Sequence, residues 1–143
     1  MGKINAGRVV LGGLLAGIII NAVEWAAYGA FLADDWARVM ASLNRTMNES
    51  AAAMTVYVCW GFLIGILAVW VYAAVRPRFG AGVGTAIKTG VLMWLLVSVQ
   101  WAISVAPGGL FPRRLVAIGV VISLVELVVA TVAGAWLYKE EAA

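Results

Sequence analysis

The sequence predicts an all-α fold: a four-helix transmembrane bundle with a short amphipathic interfacial helix between spans one and two. Three observations lead there. Of 143 residues, 64% are hydrophobic and 12% charged, with a mean hydropathy of +1.00, whereas soluble domains carry about 25% charged residues. A chain this short has too little interior to hide so much apolar surface from water, so a bilayer is the expected solvent. Four apolar stretches, at 9–32, 51–75, 89–106 and 115–138, each reach the roughly 17–25 residues that a helix needs to cross a hydrocarbon core. They occupy nearly the whole chain, which reads as one membrane domain, 1–143, with no separate soluble unit.

Span one is too long for the apolar core of a signal peptide, and no small-residue cleavage site follows it, so it is expected to stay in the membrane. Residues three and four apart share a helix face. On span one that face gathers Gly13, Gly17, Asn21, Glu24 and Tyr28. The connection DDWARVMASLNRTMNES places Trp36, Val39, Met40, Leu43 and Met47 at helical spacing on one side, the pattern of a helix lying in the membrane interface. A surface connector is the plainer reading of it and a substrate lid the sharper one.

Span two carries Gly61 and Gly65, a GxxxG pair. It runs into RPRFGAGVGTAIKTG, where Gly80, Gly82 and Gly84 invite comparison with a phosphate-cradling loop. No strand precedes them and no Gly-Lys-Ser/Thr follows at the required spacing. A flexible basic turn beside anionic headgroups is the better account. Span three is read as the shortest and holds Gln100; PGG at 107–109 and Pro112 turn the chain into span four. The face of span four gathers Gly119, Ser123, Glu126, Ala130 and Gly134. Gly13, Gly17, Gly61, Gly65, Gly119 and Gly134 are therefore the expected helix-packing positions, because small residues let backbones approach closely in lipid.

Two octapeptides, GIIINAVE at 17–24 and GVVISLVE at 119–126, set an amide or hydroxyl three residues before a glutamate. At about 1.5 Å of rise per residue, Glu24 lies roughly 15 Å below the end of its span and Glu126 roughly 18 Å below the same surface. Gln100 falls about one turn nearer that surface. A polar layer of Asn21, Glu24, Gln100, Ser123 and Glu126 near the midplane is thus expected. A carboxylate there costs several kcal/mol, so desolvation favours the neutral acid unless a cation is at hand. Three roles are open: hydrogen-bonded glue for the bundle, a site that shares a proton or binds a cation, or contact with a cationic partner or ligand.

The same residues argue against several other chemistries. A single cysteine, Cys59, forms no intrachain disulfide or redox pair and reads as a small packing residue. The chain has no histidine, so imidazole-based haem, zinc or copper sites are not expected, and no metal site or catalytic residue is assigned. No cofactor is predicted. The seven tryptophans leave a lipid, quinone or pigment groove open beside the simpler role of apolar packing. The net charge of +3 is spread over two membrane surfaces and does not suggest nucleic acid.

Lys3, Arg8, Arg76, Arg78, Lys88 and Lys139 fall on one side and Arg38, Arg45, Arg113 and Arg114 on the other. This bias puts both termini in the cytoplasm, with Trp70, Tyr72, Trp136 and Tyr138 in the inner aromatic belt and Trp36 and Tyr57 in the outer one.

The stretches LLAGIIINAVEW, WVYAAVRPRFG and GAWLYKEE resemble segments of small, uncharacterised four-span bacterial integral membrane proteins. The resemblance covers most of the chain. It implies four spans and a bacterial inner (plasma) membrane, and brings no activity with it. The expectation drawn from the whole sequence is a non-enzymatic membrane protein, a homo-oligomer or accessory subunit of a membrane complex, with Glu24 and Glu126 as polar packing or partner contacts. The alternative is a small proton- or cation-handling transporter or channel using the same two residues.

Overall fold

The computed structural model describes residues 3–140. Four of its helices are long and apolar enough to cross a membrane: Ala6–Phe31, Ala51–Phe79, Val83–Gly108 and Arg113–Leu137, here spans one to four. Span three is not the shortest, because its helix starts at Val83 rather than near Thr89. The polar residues of that first turn fit inside it. The Thr85 hydroxyl donates to the Phe79 carbonyl at 3.2 Å and Thr89 to Thr85 at 2.9 Å, while the Lys88 ammonium lies 5.4 Å from the centre of the Phe79 ring.

Span one comprises α1 (Ala6–Glu24), capped by the Asn5 side chain, which accepts from the Arg8 amide at 3.0 Å, and a π-helical run over Trp25–Phe31. A short helix, α2 (Ala33–Ser42), follows. It stops because Asn44 takes a left-handed conformation at φ 54°, the common way to close a helix C-terminus. Leu43 and Met47 are therefore beyond the helix, and both are exposed. Only Trp36, Val39 and Met40 of the expected apolar face lie on α2. Span two is α3 (Ala51–Phe79), which ends at Gly80. The turn into α4 (Val83–Trp94) uses Gly80 at φ 85° and Gly82 at φ 128°, backbone states open to glycine and strained for other residues. Span three continues through a π-helical run, Leu95–Val99, into α5 (Gln100–Val105) and a last turn, Ala106–Gly108. Span four is α6 (Arg113–Leu137).

The tightest pairing is α1 with α3, followed by α4 with α6 and α1 with α6; α3 touches α4 and α6 more lightly. The bundle is thus a rhombus with α1 and α4 at opposite corners. Both described termini and the Gly80–Gly82 turn lie at one end, the termini end; α2 and the 106–112 turn lie at the other, the cap end.

The seams follow the small residues. A Cβ on Gly13 would stand 2.5 Å from the Ile66 Cα, and one on Gly65 would stand 2.5 Å from the Gly13 carbonyl oxygen and the Gly17 nitrogen. Gly17 faces Phe62 with the same lack of room. Gly134 serves the other side of α1, 2.7 Å from the Gly12 carbonyl on the same construction. Two further close contacts lie outside the six expected glycines: Gly12, which abuts Gly134, and Gly90, where a Cβ would stand 2.7 Å from the Val128 Cα of α6.

At the termini end, Tyr72 and Tyr138 are buried and meet edge to face at 6.0 Å. The Tyr72 hydroxyl accepts from the Gly82 amide at 3.2 Å, and the Arg76 guanidinium sits 5.6 Å from the centre of the Tyr138 ring. Each tyrosine thus packs its ring into the bundle's own end rather than facing outward. Trp70 and Trp136 do face outward, Trp136 with 81% of its surface exposed.

Candidate functional site

The core has two parts. The larger runs from the termini end to about the level of Ile20, Ile64, Met93 and Leu127. The smaller, around Leu32, Val39 and Leu115, joins α2 to the start of α6. Between them the packing thins. Every residue of α3 from Ala51 to Trp60 is exposed except the half-buried Ala53, and no residue from Leu95 to Leu110 is buried. The residues of the expected polar layer stand at this boundary.

They do not form the expected network. The Asn21 amide donates to the Gly17 carbonyl at 2.8 Å and across to the Val58 carbonyl of α3 at 3.2 Å. Gly61 makes room for that amide, 2.6 Å from a Cβ placed there, rather than for a backbone. The Ser123 hydroxyl donates to the Val120 carbonyl at 3.0 Å. Gln100 is exposed on span three. Among the described residues, no hydrogen bond joins two members of the five.

The two glutamates differ. Glu126 is 4% exposed, and its Oε2 is buried without a hydrogen-bond partner among the described residues. Glu24 keeps an open side at the end of α1. Glu24 stands one turn before Tyr28 on span one, and Glu126 two turns after Gly119 on α6. Tyr28 lies over Gly119, whose Cβ would stand 2.8 Å from the phenol oxygen. Gly119 therefore admits a side chain, as Gly61 does for Asn21, and does not join two backbones, unlike Gly13 and Gly65.

The helices are locally irregular beside this group. The π-helical run of span one begins directly after Glu24, and that of span three ends directly before Gln100. Such runs insert a residue into the helical ladder and are frequent at functional sites. Trp94, the last residue before the second run, donates its indole N–H to the Val120 carbonyl at 2.8 Å. That bond ties span three to span four one turn from Ser123, the partner a buried indole is expected to find. Cys59 is not a packing residue: it is exposed on the bare part of α3, with Thr55, Val56, Tyr57, Trp60 and Leu63 around it.

Chemically, the group is one acid deprived of partners, a second acid with an open side, and a phenol. Where two carboxyls share a low-dielectric setting, they hold one proton, or one cation, between them more readily than two negative charges. No protein-family model, curated protein or solved structure matches this chain, so the reading of the site rests on its own chemistry.

Proposed function

We propose that this chain is a small, non-enzymatic integral membrane protein whose Glu24–Glu126 couple takes up and releases a proton or a small monovalent cation. The membrane is a bacterial inner membrane and both termini are cytoplasmic, in keeping with the distribution of basic residues. One observation carries the functional reading: Glu126 is buried with Oε2 unpartnered, while Asn21 and Ser123 spend their donors on backbone carbonyls. As bundle glue, the protonated glutamates would donate to Asn21, Gln100, Ser123 or a backbone carbonyl, and Glu126 Oε2 makes no such bond among the described residues. A buried acid held without partners contributes little to stability and is suited to exchanging a charge.

The test is flux of protons, sodium and potassium into proteoliposomes, with wild type beside Glu24→Gln and Glu126→Gln and a melting curve for each. Flux above that of empty liposomes, lost in Gln variants that still melt cooperatively, is the expected result. Wild type without flux, or Gln variants with full flux, would overturn it.

A second reading, an accessory subunit or homo-oligomer, is favoured by the bare stretch Ala51–Trp60 of α3. The glycine seams give it no support, since Gly13, Gly17, Gly65 and Gly134 are used within the chain.

A further inference from the structure

At the cap end, α2 and the start of α6 enclose a cavity of about 280 Å³ lined by Asp35, Arg38, Ser42, Arg114, Leu115 and Ile118, with Val39 and Pro112 completing it. Its floor is apolar, since Val39 and Leu115 are buried there. Its rim is polar and carries two guanidinium groups against one carboxylate. Arg38 pairs with Asp35, which leaves Arg114 in excess, with Arg113 beside it in the first turn of α6. A helix N-terminus bears partial positive charge, so two cations there are mutually unfavourable within the chain and are offset by an anion from outside. The cavity also lies at the end of two candidate spans, Ala6–Phe31 and Arg113–Leu137, level with the headgroups if those spans cross a bilayer.

We propose that this cavity binds the headgroup of an anionic phospholipid, with Arg38 and Arg114 on the phosphate and Val39, Leu115 and Ile118 against the glycerol and first methylenes. An apolar floor beneath a cationic rim matches an amphiphile better than a free ion, which would leave the floor unused. Asp35 opposes the ligand and limits its affinity by holding Arg38.

The test is titration calorimetry on the purified full chain in neutral detergent, using short-chain phosphatidylglycerol, short-chain phosphatidylcholine and inorganic phosphate as separate ligands. Phosphatidylglycerol is expected to bind more tightly than phosphatidylcholine. A basic residue near a lipid surface contributes enough for about a fivefold change in affinity, so Arg38→Gln and Arg114→Gln should each weaken phosphatidylglycerol by about that factor, and Arg45→Gln should not. Asp35→Asn should tighten it, a gain that a misfolded variant could not give. Equal binding of the two lipids, or no loss in the Arg38→Gln/Arg114→Gln double variant, would overturn the proposal. So would phosphate alone binding as tightly as phosphatidylglycerol, since the site would then belong to a free anion.

Discussion

The termini half and the cap half of this bundle are built on different principles. In the termini half, glycines from α1, α3, α4 and α6 bring backbones into contact, and the helices share a continuous core. In the cap half, α3 stands bare over its first ten residues, span three buries nothing beyond Trp94, and α2 folds back to seal the end with Leu32, Val39 and Leu115. An aromatic chain of Tyr28, Trp36, Phe111 and Trp101 runs across that seal, with ring centroids 5.6–6.2 Å apart. The difference shows what holds helices together when the solvent is as apolar as the side chains. Small residues set how closely two helices approach, and large aliphatic residues alone do not draw them together. Asn21, Glu24, Ser123 and Glu126 stand where one regime gives way to the other.

The termini half is most vulnerable at Gly65. A Val there meets the Gly13 carbonyl and the Gly17 backbone, which cannot move without separating α1 from α3. Gly65→Val should cost about 3 kcal/mol or more, or leave no folded protein, when unfolding is followed in a denaturing-detergent titration. A change below about 1 kcal/mol would mean that the glycine seam is not what holds the termini half.

Glu126→Leu sharpens the boundary. Because Oε2 has no partner to lose, replacing the acid by an apolar side chain should stabilise the protein by about 1–2 kcal/mol, on the scale of a relieved unsatisfied polar group. It should abolish flux at the same time. A loss of stability in the same titration would show that Glu126 holds the bundle.

The smallest effect is expected in the cap half. Tyr57 is 64% exposed on the bare part of α3. In a monomer, Tyr57→Ala should change stability by less than about 0.5 kcal/mol. A larger loss that deepens with protein concentration would place a second copy on that face and favour the oligomer reading.

Much of this architecture was legible in the residues. GIIINAVE and GVVISLVE marked the two glutamates, and Gly13, Gly17, Gly61, Gly65 and Gly134 all lie at helix contacts, as their spacing indicated. Gly12 and Gly90 lie outside the expected positions although each has a small residue four positions away, Ala16 and Ala86 respectively, so the sequence carries the signal. The polar network was not legible. Proximity in depth put Asn21 beside Glu24, but an amide at a helix contact finds its nearest carbonyls first, here those of Gly17 and Val58.

Length and hydropathy fix the expected solvent and the number of helices able to cross it, because both are sums over neighbouring residues and need no knowledge of the fold. Which way each polar side chain faces was decided by the tertiary structure. Helix faces counted at 3.6 residues per turn lose phase by about 100° for each inserted residue, and a π-helical run begins directly after Glu24. Beyond that point the packing of Tyr28 on Gly119, of Trp36 on Phe111 and of α2 on α6 fixes the rotation of the chain.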